Sequence, residues 1–375
     1  MKQKRMLRRG LALLAAALTV LAAVRLHQIQ KTELVNRTGQ SFETGVVTEI
    51  LQDNLQDGGV RVGQQTVVVR MTSGARRGAE LTTSSSPGYL FGAACTVGMH
   101  VVVLQSVAGS STVTSVYSRD RGAALAVFAG LYLLALCLVG GKKGVRGAAG
   151  LVFTFGSILY LYLPLVYLGC SPFAAAVGIC LVTTFVTLCL LGGLTRKTLT
   201  ATLGTAGGVL IAGTAAALFS AATGITGWNV SDIESLLTLQ EVGSIQVGGL
   251  LFSGLLISSL GAVMDVAMSI SSAMQELCVQ NPAITRRELL RAGLRIGRDM
   301  MGTDANTLIL AFAGGSVSML LLDYAYDLPA LQILNSNNIG IAVMQGLSGS
   351  FGVVLCVPVT VALAAVLYRP SPRQA

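Results

Sequence analysis

Charged residues are scarce in this chain of 375 residues, since Asp, Glu, Lys and Arg make up only 11% of it. An average soluble protein has about 25%. Hydrophobic residues make up 53% of the chain, and the mean hydropathy is +0.69. Several apolar runs reach about 20 residues, the length that crosses a hydrocarbon core of about 30 Å. This composition excludes an ordinary soluble protein and predicts an α-helical polytopic membrane protein.

The sequence also lacks the motifs of common enzymes and metal sites. It contains no P-loop, no G-x-S-x-G and no metal-ligand spacing. The only two histidines are His27 and His100, and we expect His100 to be a packed or half-exposed strand residue. We therefore predict that the protein is not an enzyme and that it holds no metal and no cofactor.

The seven cysteines do not form the pattern of a disulfide framework. Only Cys95 lies in the polar segment of the chain, and most of the others lie in or beside apolar runs. Buried free thiols are the expected state of such residues. A bridge between Cys95 and Cys170 is an open alternative.

The chain begins with a basic segment followed by a short apolar run. Residues 1–10 hold five Lys or Arg, and residues 11–24 are apolar. This length is compatible with both a signal peptide and a signal anchor. No convincing small-x-small cleavage site precedes Leu26, so we predict that residues 1–26 form an uncleaved anchor and the first transmembrane helix.

Residues 27–121 are more polar and have the pattern of a small β domain. Runs rich in Val, Ile and Thr are separated by Gly and Ser clusters, as expected for short strands joined by turns. The predicted strands are 42–51, 64–72, 79–83, 99–105 and 112–118. Five short strands in about 95 residues indicate a small barrel or sandwich of the OB-like kind.

Seven further apolar spans follow this domain. They are 123–140, 148–168, 173–193, 199–222, 247–274, 304–322 and 339–367. With the first run they make about eight transmembrane helices. We therefore predict a seven-helix membrane domain at 122–368 and a short tail at 369–375.

The distribution of charge orients these spans. With the N-terminus in the cytoplasm, the short inside segments hold 17 of the 26 basic residues. The three short outside loops, 169–172, 223–246 and 323–338, hold none and contain five acidic residues instead. This is the positive-inside pattern. It predicts cytoplasmic termini and an extracytoplasmic β domain, and it explains the net charge of +9 without a nucleic acid.

The apolar segment 254–276 carries a stripe of small and polar residues at gaps of three or four. The stripe consists of Gly254, Ser258, Gly261, Asp265, Ser269, Ser272 and Glu276. This spacing places all seven on one face of a helix. A carboxylate at the bilayer centre costs about 2.5–3.5 kcal/mol on insertion scales. We therefore expect the stripe to turn inward, toward protein or water.

The next cytoplasmic segment predicts a helix with a cationic face. Thr285 and Glu288 form a capping-box pattern at its start. The residues at gaps of four, four and three that follow are Arg287, Arg291, Arg295 and Arg298. A short helix on the anionic inner leaflet fits this face, and a loop that only fixes the topology is the alternative.

Polar residues also mark the start of the span at 304–322. Together with the stripe they predict a polar cluster on the cytoplasmic side of the bundle, able to bind an ion or a small solute. Its candidate residues are Asp265, Ser269, Ser272, Glu276, Asp299, Thr303 and Asn306. The alternative is a set of interhelical hydrogen bonds, each worth about 0.6–2 kcal/mol.

Small residues are dense in several spans, as in the GxxxG pattern of Gly204 and Gly208. This density predicts close helix packing. In the last span, Gln345 and Pro358 leave a second interpretation open, a broken helix that lines a pathway.

Two blocks, GAVMDVAMSISSAMQEL at 261–277 and GRDMMGTDANTLILAFAGGSVS at 297–318, resemble the YibE/F family of bacterial multi-pass membrane proteins. The resemblance covers about residues 30–368. It implies a location in the bacterial plasma membrane of a Gram-positive-type cell. It also implies a partner, either a paired family member or a second copy in a homo-oligomer.

The family's polar signature corresponds by position to eleven residues of this chain. They are Asp265, Ser269, Ser272, Glu276, Gly297, Arg298, Asp299, Gly302, Thr303, Asn306 and Thr307. Asp304 departs from the pattern, because an uncharged residue is expected there.

Two functional hypotheses follow. The first is a YibE/F-like secondary transporter or permease for a small solute or ion, with Asp265 as the binding or coupling carboxylate. The alternative is a scaffold or accessory subunit that does not transport and whose β domain binds an envelope partner.

Overall fold

The structure is a computed structural model that describes residues 17, 19–26, 38–56, 59–88, 91–108, 111–230, 233–242 and 244–368. The chain divides into one unit of Glu33–Ala135 and another of Met1–Thr32 with Leu136–Ala375. Most of the predicted anchor at 1–26 and the whole tail at 369–375 lie outside the described residues. Residues 17 and 19–26 are helical.

The first unit contains a closed five-stranded barrel. Its strands are β1 (Gln40–Gln52), β2 (Gln65–Met71), β3 (Glu80–Ser85), β4 (His100–Ala108) and β5 (Ser111–Arg119). They are joined in the order β1–β2–β3–β5–β4, and β1 pairs with β4 to close the barrel. The β3–β5 pair is parallel and the other pairs are antiparallel. The five predicted strands and the small barrel are confirmed.

Alternating side chains fill the barrel interior, as the period of two in a strand requires. In β2, Gln65, Val67, Val69 and Met71 are buried. Valines of β1, β4 and β5 complete the core. Gly45 of β1 has no room for a side chain, because an added Cβ would lie 2.4 Å from Val69 Cγ1.

A hydrogen-bonded network joins β2 to two loops of the barrel. The fully buried Gln65 donates from Nε2 to Asp53 Oδ1 (2.8 Å) and accepts at Oε1 from the backbone N–H of Cys95 (2.7 Å). Arg61 Nη1 donates to the same oxygen of Asp53 (2.6 Å). The hydrogen bonds from Gln65 and Arg61 lower the pKa of Asp53. Burial raises the pKa of the Cys95 thiol.

The second unit is helical. Its elements are α1 (Gly122–Ser157), in which the division between the units falls, a π-helical turn (Ile158–Tyr162), α2 (Leu163–Tyr167), α3 (Pro172–Gly192), α4 (Arg196–Thr223), α5 (Ile233–Val242), α6 (Leu250–Gln280), α7 (Arg286–Gly315), α8 (Val317–Ala325), α9 (Ala330–Leu334) and α10 (Asn337–Leu367). All seven cysteines of the chain are free thiols.

Within the described residues, five helices are long and apolar enough to cross a membrane, or six if α7 and α8 form one bent span. The predicted spans 173–193, 199–222 and 339–367 correspond to α3, α4 and α10. The span 247–274 corresponds to α6 with a 3-10 turn before it. The total of eight stays a prediction, because most of the first run lies outside the described residues.

The region of the predicted spans 123–140 and 148–168 is one helical stretch of 46 residues, interrupted at Gly141. Gly141 has a non-helical backbone (φ 53°, ψ −134°). A Cβ added at Gly144 would lie 2.1 Å from the carbonyl oxygen of Leu136, although residues eight apart in a straight helix are separated by about 12 Å. The chain therefore reverses direction at Gly141, between the two predicted spans.

The segment 286–315 differs from its prediction. The capping box is confirmed, since Thr285 Oγ1 accepts from the N–H of Glu288 (3.2 Å) and Glu288 Oε2 accepts from the N–H of Thr285 (2.9 Å). The expected short surface helix followed by a separate span is wrong. The helix that begins after Thr285 continues unbroken to Gly315, because it contains no proline and its glycines Gly293 and Gly297 pack against α6 and α10. It then bends by 57° into α8.

Glycines bring α4, α6 and α10 into close contact. A Cβ at Gly208 of α4 would lie 2.5 Å from Val263 Cγ1 of α6 and 3.0 Å from the carbonyl oxygen of Gly352 in α10. At Gly204 it would lie 2.2 Å from Thr360 Oγ1. The predicted close packing is confirmed. α10 is continuous through Pro358, so the helix is not broken there.

Candidate functional site

The stripe of α6 lies on the exposed face of the helix. Gly254, Ser258, Gly261, Asp265 and Glu276 are exposed, and the two remaining serines are half-buried. The prediction that the stripe turns inward is therefore wrong for a single chain.

The physical reason is that neighbouring helices supply glycines on which the bulky face of α6 packs. Val263 of α6 contacts Gly208 of α4. Ile270 and Met274 of α6 pack on two glycines of α7. All three of these α6 side chains are fully buried. The small residues of α6 consequently remain on the outer side.

The contacts between α6 and α7 define how the two helices are aligned. A Cβ at Gly293 would lie 2.7 Å from Met274 Sδ, and one at Gly297 would lie 3.3 Å from Ile270 Cδ1. A step of four residues toward the C-terminus of α7 therefore corresponds to a step of four residues toward the N-terminus of α6. The helices are antiparallel, and Asp265 lies level with residues 302 and 303.

Asp265 lies halfway along the length of its membrane-length helix, on the exposed face. It lies within two residues of the midpoint of the 34-residue stretch Val247–Gln280. Asp304 of α7 is close enough for the two carboxylates to repel each other. In the part of the chain that the structure describes, neither carboxylate takes part in a hydrogen bond or an ion pair. Two unpaired acidic side chains thus share one level of the bundle.

Two polar residues of α7 lie near the level of these acids. Thr303 is exposed and lies next to Asp304, and Asn306 is exposed less than one turn further on. On the other side of α7, Ser350 Oγ donates to the carbonyl oxygen of Ala305 (3.2 Å) and holds the helix against α10. We define the α6–α7 polar face as Gly254, Ser258, Gly261, Asp265, Ser269 and Glu276 of α6 with Arg291, Asp299, Gly302, Thr303 and Asn306 of α7, all of which are exposed except the half-buried Ser269.

Two of the predicted site residues have other local roles. Ser272 Oγ donates to the carbonyl oxygen of Met268 (2.7 Å) within α6. Glu276 accepts at Oε1 from Gln280 Nε2 (3.0 Å), and it lies about 16 Å along the helix from Asp265. The structure therefore brings Asp265, Thr303 and Asn306 to one level, and it places Glu276 nearer the end of α6.

The predicted cationic face is present on α7. Arg287, Arg291, Arg295 and Arg298 are all exposed, whereas Leu289, Gly293 and Gly297 on the other side are buried. No ion pair involves these four arginines within the described ranges. By the alignment of α6 and α7, Arg287 lies level with Gln280, and Arg298 lies level with Ser269.

Other basic residues gather at the same end of the helical unit. Arg196 Nη1 donates to the carbonyl oxygen of Leu367 (3.1 Å), which joins the start of α4 to the end of α10. Lys143 and Lys197 are close enough to repel each other. Within the described part of the chain, the basic residues near 143 and 196–197 thus share one end with the C-terminus of α10.

Sequence reasoning missed the buried serines that brace this bundle. Ser271 Oγ donates to the carbonyl oxygen of Lys197 (2.8 Å) and bonds to the hydroxyl of Tyr368. Ser253 bonds to the hydroxyl of Tyr162. Ser253 lies among large apolar residues in the sequence and Ser271 lies between Ile270 and Ser272, so the only available signal was a hydroxyl on the bulky face of the helix.

A family model described as "YibE/F-like protein" matches residues 128–370, which are 243 of the 375 residues. The match covers the helical unit from within α1 to the end of α10. No curated protein and no solved structure matches the chain.

Proposed function

The chain belongs to the YibE/F-like family, and from this premise we propose that it is an integral membrane protein that moves a small solute or an ion. In this proposal Asp265 is the carboxylate that binds the transported or coupling species. The helices are long and apolar enough to cross a bilayer. The proposed location is the bacterial plasma membrane.

The unpaired carboxylates at mid-span are the observation that carries this proposal. An ionised side chain at the bilayer centre costs about 2.5–3.5 kcal/mol, and such residues in membrane proteins commonly mark ion or substrate pathways. Asp265 and Asp304 repel each other, and a cation between them would relieve that repulsion. Thr303 and Asn306 supply neutral oxygen atoms near the same level, which suit a hard cation.

The arrangement of basic residues supports the proposed orientation. Among the described residues, Lys143, Arg196 and Lys197 lie at one end of the helical unit, where Arg196 contacts the end of α10. Basic residues concentrate on the cytoplasmic side of membrane proteins. We infer cytoplasmic termini and an extracytoplasmic barrel. Arg287, at the level of the end of α6, is the arginine best placed for anionic headgroups of the inner leaflet.

The experiment that tests transport records currents from purified protein in liposomes on a solid-supported electrode. Proton and sodium gradients are applied to the wild type, to Asp265→Asn and to the control Glu234→Gln in α5. We expect a wild-type current that Asp265→Asn abolishes and Glu234→Gln preserves. Equal currents from the wild type and Asp265→Asn would contradict the role of this carboxylate.

The barrel favours the second candidate, a scaffold that binds an envelope partner. Phe91, Val97 and Val113 are at least 66% exposed, and exposed apolar side chains mark a binding surface where they form one patch. On this hypothesis Phe91→Ser and Val113→Ser weaken co-purification of an envelope protein and leave the melting temperature unchanged. Unchanged co-purification from both variants would count against it.

A further inference from the structure

The α6–α7 polar face is unsuited to lipid. Asp265 lies at the middle of a membrane-length helix, and Asp299 and Asn306 are exposed beside it on α7. Charged side chains at this depth face protein or water because lipid offers them no partner. A single chain leaves this face open, so another molecule has to cover it in the membrane.

The backbone of this face is accessible to another helix. A Cβ added at Gly254, Gly261 or Gly302 would meet no other residue within 4 Å. This contrasts with Gly204, Gly208 and the other glycines that bring α4, α6 and α10 together. Small residues at a helix surface let a second helix approach closely in a membrane. Three glycines on one outward surface therefore leave room for a close helix contact.

The two helices expose complementary groups. The charged residues of α6 are Asp265 and Glu276, both acidic. α7 exposes five arginines and the amide of Asn306, together with two acids, Glu288 and Asp299. By the alignment of the helices, Glu276 lies level with Arg291. Asp265 lies level with residues 302 and 303. Acids on one helix thus lie at the same depth as donors on the other.

We propose that the α6–α7 polar face binds the same face of a second copy of this chain. Copies inserted in the same orientation are related by a two-fold axis along the membrane normal, which keeps every residue at its own depth. α6 of one copy then contacts α7 of the other. Glu276 pairs with the partner's Arg291, and Asp265 accepts hydrogen bonds from the partner's Thr303 or Asn306.

This inference rests on geometry and charge, and it does not require that the protein transports anything. It also explains why the small residues of α6 point outward, since they face the second copy. Contact with the second copy also explains why α7 exposes arginines such as Arg298 deeper in the membrane. Arg298 lies about 16 Å further along the helix than Arg287, beyond the end that contacts headgroups.

A charge-swap experiment tests the proposal. Two copies of the full-length chain carrying different affinity tags are co-expressed, extracted with native lipid in polymer nanodiscs and purified on one tag. The second tag is then quantified for the wild type, Glu276→Arg, Arg291→Glu and the double variant. Arg146→Glu, an exposed charge on α1, is the matched control.

We expect the wild type and Arg146→Glu to co-purify and each single reversal to reduce the second tag at least tenfold. The double variant restores it, because both pairs of the symmetric interface are re-formed with reversed charge. Equal melting temperatures of all variants show that the fold is intact, as expected for exposed side chains. Restoration in the double variant cannot arise from a folding defect.

Three results would overturn the proposal. The first is a wild type whose two tags do not co-purify. The second is co-purification that neither reversal changes, which places the interface elsewhere. The third is a Gly261→Cys variant that cross-links in membranes to a different polypeptide and not to its own copy. The current from Asp265→Asn is an independent result, so failure of the transport proposal and failure of this one are distinguishable.

Discussion

Replacing Gly208 by alanine tests the packing of α4 against α6 and α10. In this packing the bulky face of α6 contacts the bundle, and its polar stripe is left exposed. The added Cβ would lie 2.5 Å from Val263 Cγ1, 2.9 Å from Cys356 Cβ and 3.0 Å from the carbonyl oxygen of Gly352. These atoms belong to two different helices, and one is a backbone atom. A change of side-chain rotamer therefore cannot make room, and the helices have to move apart.

The expected magnitude follows from two opposing effects. Overpacking a well-filled core costs about 1–3 kcal/mol, whereas alanine in place of glycine favours a helix by about 0.8–1 kcal/mol. We expect a net destabilisation of up to about 2 kcal/mol for Gly208→Ala, seen as a melting temperature lower by several degrees. The measurement is thermal unfolding in detergent, followed by scanning fluorimetry and by loss of the monodisperse chromatographic peak.

Gly178→Ala in α3 is the matched control. A Cβ at Gly178 would meet no other residue within 4 Å, so this variant gains the same helix propensity without the clash. It should melt at the wild-type temperature or slightly above it. If Gly208→Ala has the same melting temperature as Gly178→Ala, then α4 packs less closely against α6 and α10 than the structure shows, and the reasoning is refuted.

Two further predictions concern local stability. Thr285→Ala removes the hydroxyl that accepts from the N–H of Glu288 and donates to Glu288 Oε2. It should destabilise the start of α7 by about 1 kcal/mol, measured as faster amide hydrogen exchange there, and unchanged exchange would contradict it. The pKa of Asp53 is lowered by Gln65 and then by Arg61, so its carboxylate stabilises the barrel above the unfolded pKa of about 3.9. That contribution is lost as the pH falls through the lower folded pKa. Calorimetry of the full chain between pH 6 and pH 2.5 should show a steeper acid loss for the wild type than for Asp53→Asn, and equal slopes would refute the assignment.

Local patterns were sufficient to predict much of this fold. The runs rich in Val, Ile and Thr between Gly and Ser clusters predicted the five strands, because such residues favour strands and turns respectively. Length and hydropathy predicted the spans of α3, α4, α6 and α10. The capping box was readable because its two partners, Thr285 and Glu288, lie three residues apart in the sequence.

The sequence did not show whether the α6 stripe faces the bundle or its surroundings. Helical spacing shows that Asp265 shares a face with glycines and serines, but it does not show which face meets the rest of the bundle. That choice depends on glycines such as Gly208 and Gly297, which lie far away in the sequence. The extent of α7 was missed for a related reason, because arginines such as Arg291 raise the polarity of a segment without breaking its helix.

The most direct test of the central claim joins chemical modification of Asp265 to transport in the same sample. Liposomes that hold the wild type are treated for increasing times with a membrane-permeant carbodiimide, which reacts with carboxyl groups inside membranes. Mass spectrometry measures the modified fraction of each acidic residue, and the ion-driven current is recorded from the same liposomes. We predict that the current falls in proportion to the fraction of Asp265 modified, whatever the modification elsewhere. A full current from protein in which Asp265 is completely modified would contradict the account.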